Sequence, residues 1–134
     1  MNIQDINKFC ENTMISHLGI EFLDFSDGVL FARMLVSDKV RQPMGLLHGG
    51  ASLALAETMG SAGSVIMVDV QKYTVLGLQV SGNHVSSVSN GYVYGKAKLI
   101  HKGTKTHVWD VEISDEEKNL VSTVRVTNFI KEND

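Results

Sequence analysis

Residues Gly45 to Val65 read GLLHGGASLALAETMGSAGSV, an almost uncharged run of small and apolar residues. Between Arg41 and Asp69 the only Asp, Glu, Lys or Arg is Glu57. Ala and Leu dominate, both strong helix formers, so the stretch predicts a helix from about Gly50 to Met67. The residues before it, RQPMGLLHGG, form a loop, because Pro43, Gly45, Gly49 and Gly50 break any regular element. Apolar or small residues lie all around the helix, so it must be covered on most sides. Glu57, His48 and the glycines argue against a membrane span.

Outward from this helix the pattern changes period. Upstream, Ile3, Ile6, Phe9, Cys10 and Met14 have helical spacing and predict a short amphipathic helix. GIEFLDF and VLFARMLV flank the turn signal SDG and read as a hairpin. Downstream, four strands are expected: KYTVLGLQVSGNH, GYVYGKAKLIH, TKTHVWDVEIS and LVSTVRVTNFI. In the second, Val93, Gly95, Ala97 and Leu99 face one way and Tyr92, Tyr94, Lys96 and Lys98 the other. Three of the four have short connections and should pair antiparallel. The expected class is α+β: one sheet curled around one long helix.

At 134 residues the chain is expected to be one domain, residues 1–134, with order failing only in the terminal KEND. A single cysteine, Cys10, excludes a disulfide within the chain and reads as a small buried hydrophobe. The N-terminus has early acids and no apolar run, which is no signal peptide, so a soluble cytoplasmic protein is expected. The net charge of −3 is unevenly spread. Val70 to Trp109 holds Lys72, Lys96, Lys98, Lys102 and Lys105 and no acid, so it is +5 and the rest is −8. A local basic patch on an acidic chain suits a small polyanionic ligand better than nucleic acid. Lys96 and Lys98 also read as the solvated outer face of a strand.

At about 100° per residue, Gly60, Ser61 and Ser64 share the stripe of Glu57, while Leu55, Met59 and Ile66 lie opposite. A buried charge without partners is very costly, so this polar seam must supply hydrogen bonds, water or a ligand. HGG stands at the helix start, where backbone N–H groups lack intrahelical partners and the dipole is positive. That end can polarise a carbonyl oxygen that gains charge during attack, with Gln42 and His48 as further donors. Glu57 lies nine residues after His48, about 13 Å along a helix and half a turn round. The two cannot serve one reacting atom in one chain. A two-fold dimer would bring Glu57 of one helix to the HGG end of the other. A structural role for the buried acid remains an alternative on pattern alone.

At these residues the sequence resembles the hotdog-fold acyl-CoA thioesterases, nearest the subgroup of 1,4-dihydroxy-2-naphthoyl-CoA and enterobactin-proofreading thioesterases. Three blocks carry the resemblance: QPMGLLHGGASLALAETMGS (Gln42–Ser61), GLQVSGNHV (Gly77–Val85) and HKGTKTHVWDVEI (His101–Ile113). It extends from about Met14 to Phe129. The resemblance implies a hotdog fold and hydrolysis of an aromatic or medium-chain acyl-CoA, with 1,4-dihydroxy-2-naphthoyl-CoA one candidate. Glu57 matches the catalytic carboxylate, nucleophile or general base. Gly49 matches the amide that binds the thioester oxygen, Gln42 assists, His48 orients the thioester, and Ser61 assists water or the acyl group.

The same resemblance implies that CoA lies along Gly77, along His84, Val85, Ser86 and Ser87, and along His101, Lys102, Gly103, Thr104, Lys105 and Thr106. Ser86 departs from the basic residue that relatives carry there, so the expectation is that a phosphate contact is either lost or supplied instead by Lys102 or Lys105. Met44, Leu47, Met59 and Val65 are expected to line the acyl pocket. The implied assembly is a homodimer with its site at the interface, paired into a homotetramer, with no metal, no cofactor beyond substrate CoA, no nucleic acid and no membrane. Two rivals are a hydratase or dehydratase of acyl thioesters, whose His and acid have another spacing, and a non-catalytic acyl-CoA-binding protein, which should lack the acid.

Overall fold

The computed structural model describes residues 1–134. The elements, in order, are α1 (Ile3–Phe9), α2 (Met14–His17), β1 (Ile20–Ser26), β2 (Val29–Leu35), α3 (Gly49–Met67), β3 (Tyr73–His84), β4 (Tyr92–Lys102), β5 (Thr106–Ser114) and β6 (Leu120–Glu132). The six strands form one antiparallel sheet in the order β1-β2-β4-β5-β6-β3. The hairpin, the long helix and the four later strands all form where the residue periods place them. β4, β5 and β6 are neighbours through short connections, whereas β3 crosses to the far edge and pairs only with β6.

The N-terminal segment departs from the single expected helix. Asn12 takes a left-handed conformation (φ 62°) and Thr13 caps a new helix, so the chain breaks between α1 and α2. The last residues are also better held than expected. The Asn133 amide N–H donates to the Lys72 carbonyl (2.8 Å), and its Oδ1 accepts from the Thr74 hydroxyl (2.6 Å).

α3 packs across one face of the sheet through Ala51, Ser52, Leu55, Ala56, Met59, Gly60, Gly63 and Ser64. A Cβ on Gly63 would stand 2.5 Å from the Trp109 ring, so glycine is what lets helix and sheet approach this closely. Leu55, Met59, Trp109, Val93 and Ile113 are fully buried in the resulting core. The opposite stripe, which includes Ala54, Glu57, Thr58, Ser61 and Val65, is only half-buried. The sheet therefore covers one side of α3, less than the sequence pattern demands.

β3 is the exposed edge of this sheet. Over Tyr73–His84 no residue is buried and none is charged or proline, and Leu78 is 60% exposed. Long edges without charge or proline present unpaired N–H and C=O groups that can accept another strand. No helix is long and apolar enough to cross a membrane.

Candidate active site

The N-terminal end of α3 is built by His48. Its Nδ1 accepts the Gly50 N–H (2.7 Å), and its carbonyl accepts the N–H groups of Ala51 (2.9 Å) and Ser52 (3.3 Å). With Nδ1 accepting in this cap, the N–H that the ring can offer is at Nε2. Among the first amides of α3, that of Gly49 donates to no acceptor in the chain. The Gln42 side chain is oriented by its Oε1, which accepts the Met44 N–H. Its Nε2 donors therefore remain free.

Gln42, Gly49, His84, Val85, Ser86 and Ser87 line one cavity of about 230 Å³. The His84 ring is held at Nδ1 by the Ser122 hydroxyl (2.7 Å), and its Nε2 lies 2.7 Å from where a Cβ on Gly49 would be. Ser122 is fully buried, and nothing in its local sequence marks it beyond its place in the last strand. Ser86 uses its hydroxyl on the Leu120 carbonyl (2.6 Å), so it braces the strand end.

Glu57 sits further along α3, beside the middle of β3. A Cβ on Gly77 would lie 2.6 Å from Oε2, and a bulge follows at Gly77/Gln79. The carboxylate takes part in none of the three ion pairs. Glu57 and Ser61 open onto a second, mostly apolar hollow of about 420 Å³ between α3 and α1–α2. Val65 lines this hollow, whereas Met59 does not: it is fully buried with its sulfur against Gly95. Leu47 lines the cavity at the helix start, and Met44 is 79% exposed in the loop.

Ser64 and Gly60 also leave the seam assigned to them. They turn into the sheet, where Ser64 Oγ accepts from Trp109 Nε1 (2.9 Å) and Asn128 Nδ2 (3.0 Å). With both lone pairs used, its O–H donates to His107 Nδ1 (2.8 Å). Asn128 Nδ2 also donates to the Gly60 carbonyl (3.0 Å), and its Oδ1 is buried without a partner. Burial lowers the pKa of His107, and the positive charges of Lys102 and His101 lower it further. The hydroxyl signal read from helical angles was real, but a helix wheel does not say which side faces the sheet.

Lys102, Gly103 and Thr104 line a third cavity, of about 270 Å³, with Met67, Val68 and His107 at the opposite end of α3. The turn holding His101, Lys105 and Thr106 is closed by Gly103 N–H to the Thr106 carbonyl (2.8 Å). The segments 84–87 and 101–106 thus sit at opposite ends of a helix about 27 Å long, and one chain does not bring them together. Lys96 and Lys98 lie on the outer face of β4, opposite Glu112 and Asp110.

The comparisons with known proteins agree with this architecture. Residues 44–122 match the family model described as the thioesterase superfamily. The chain is 38% identical over 130 residues to the 1,4-dihydroxy-2-naphthoyl-CoA hydrolase of Escherichia coli strain K12, covering 97% of this chain and 95% of that protein. It is 39% identical over 131 residues to the proofreading thioesterase EntH of Cronobacter turicensis, covering 97% and 94%. Its fold matches a crystal structure of a mutant thioesterase from Pseudomonas aeruginosa with a TM-score of 0.97 at 37% identity, over 99% of this chain and 96% of that one. A thioesterase from Haemophilus influenzae matches with a TM-score of 0.95 at 36% identity, over 98% and 92%. The chain belongs to the thioesterase superfamily and is a hotdog-fold thioesterase.

Proposed function

We propose that the chain hydrolyses an aromatic or medium-chain acyl-CoA to the free acid and CoA. The observation that carries this reading is the pair of unengaged donors, Gly49 N–H and Gln42 Nε2, in one cavity at the positive end of α3. Two fixed donors aimed at one oxygen stabilise the charge that develops when a thioester carbonyl is attacked. His48 Nε2–H supplies a third donor near the same helix end. Glu57, half-buried and without an ion-pair partner, supplies the base or the nucleophile.

As base, Glu57 takes a proton from water while the new C–O bond forms. The C–S bond then breaks, and the thiolate leaves as CoA thiol after taking a proton. As nucleophile, Glu57 forms an acyl anhydride, expels CoA, and water hydrolyses the anhydride. Ser61, one turn on, orients the water or the acyl group. Neither route needs a cofactor beyond the CoA of the substrate.

Both halves of the site lie along the free edge of β3: Gly49 beside His84, and Glu57 beside Gly77. A second copy paired antiparallel along that edge, with Gly77 opposite the partner's His84, places Glu57 level with the partner's Gly49. The same two-fold brings segment 84–87 of one copy toward segment 101–106 of the other. CoA then lies across both, with Lys102 and Lys105 available to its phosphates. The homodimer is the minimal active unit in this reading, and two such dimers form the tetramer.

Thiol release from acyl-CoA substrates tests the proposal. Glu57→Gln should lower kcat by about 10²–10⁴-fold with the fold intact, the range for a lost acid–base group. Wild-type turnover in that variant would remove Glu57 from the reaction. Single-turnover hydrolysis in ¹⁸O-water separates the two routes, since label enters the Glu57 carboxylate only if it attacks the acyl carbon itself.

A further inference from the structure

We propose that the acyl group this site prefers is an unhydroxylated alkyl chain, held in the hollow between α3 and α1–α2, rather than a ring-hydroxylated aroyl group of the kind in the name of the Escherichia coli relative. The inference rests on the thioesterase reading of Glu57 given above. Glu57, Thr58 and Ser61 are the only polar side chains apart from the Cys10 thiol in the wall of the 420 Å³ hollow, and all three are on α3 at the reacting end. The other nine lining side chains are apolar. Its floor is Ile6, Cys10 and Phe22, all buried, and its rim is Phe9 and Met14, which are 78% and 65% exposed.

The floor holds no free backbone donor or acceptor at its centre. The Phe22 N–H and carbonyl are both taken by the Asn7 side chain, at 2.8 and 2.9 Å. Burial raises the Cys10 pKa, so its sulfur stays a neutral thiol, a weak donor. A ring hydroxyl carried into this space would lose its water and find no good partner. Such a loss is worth about tenfold to a hundredfold per hydroxyl. Each buried methylene, by contrast, gains about fourfold. Val65 stands two turns past Glu57, about 12 Å along the helix, so it flanks the part of the hollow that only a longer chain reaches.

The test is kcat/KM, read as thiol release, for butanoyl-, hexanoyl- and octanoyl-CoA and for benzoyl- against 2,4-dihydroxybenzoyl-CoA. The proposal expects about fourfold gain per methylene up to octanoyl, and at least a tenfold preference for benzoyl over its dihydroxylated form. Val65→Phe, which narrows the hollow, should flatten the chain-length series by lowering octanoyl-CoA most. Ala62→Ser adds a hydroxyl to the wall about 7.5 Å past Glu57, within reach of a ring; it should shrink the penalty on the dihydroxylated substrate even if the Phe variant folds poorly. Equal kcat/KM for hydroxylated and plain acyl groups, or a flat alkyl series in the wild type, overturns the preference while leaving the thioesterase reading in place. No turnover of any thioester in the panel overturns that reading and the preference with it.

Discussion

The Glu57 carboxylate rests against the backbone of Gly77, 2.6 Å from the point a Cβ would occupy. Twenty positions along the chain separate the two, and a bulge lies at Gly77/Gln79. Gly77→Ala should therefore push the carboxylate aside while leaving the helix and the sheet ladder intact. Misplacement of a reacting group by about 1 Å can cost about 10²-fold in rate, so kcat should fall by that order with little change in melting temperature. Steady-state kinetics beside thermal denaturation check it, and unchanged kcat would separate Gly77 from the site.

The proposed two-fold pairing makes a complementation prediction. Glu57→Gln and Gln42→Ala each remove one half of the site. If the halves come from different copies, co-refolding the two inactive variants regenerates one native site in each mixed dimer. With random mixing, about a quarter of wild-type activity should return, by the two-fold symmetry of the pair. No recovery in mixtures shown to contain heterodimers would place both halves of each site in one chain.

Ser64 satisfies three buried groups at once: Trp109 Nε1, Asn128 Nδ2 and His107 Nδ1. Ser64→Ala leaves these without it, and an unmet buried polar group costs about 1–3 kcal/mol. Asn128 keeps its bond to the Gly60 carbonyl, so a total loss of about 2–4 kcal/mol is expected in denaturant unfolding. A loss below about 0.5 kcal/mol, the size of an ordinary surface substitution, would mean that the hydroxyl contributes nothing here.

His107 gives the fold a pH dependence of definite sign. Burial first, then Lys102 and His101, lower its pKa in the folded chain below the ordinary value of 6.5. On acidification the unfolded chain takes up the proton first, so stability is lost as pH falls through about 6.5 and the loss levels off below the folded pKa. Above neutral pH this residue has no effect on the slope. His107→Gln should flatten the dependence of unfolding free energy on pH between about 7 and 5. An unchanged slope in that window would assign it to other groups.

Much of the fold was legible because each element has its own period. The alternation in GYVYGKAKLIH gives a strand with Val93, Gly95 and Ala97 buried, as its pattern says. The lone acid and the HGG cap were legible for the same reason, since both are local. Ser64 shows the limit. Its place on the helix wheel beside Glu57 was right, yet 100° steps do not say which side meets the sheet, and its true partners Trp109 and Asn128 lie on β5 and β6. Met59 was misplaced likewise: its apolar side chain suits a pocket or a core equally well, and Gly95 on β4 makes the space that draws it into the core.

The elements, the acid on the long helix and the glycines at its start follow from sequence alone, because helix and strand periods and capping act over a few residues. That β3 crosses to the edge beside β6, so that His84 meets Gly49 and Gly77 meets Glu57 along one edge strand, follows only from the assembled sheet. Those meetings depend on strand order and on the path of the connections. They are set by burial of the whole sheet against α3, which no window of a few residues contains.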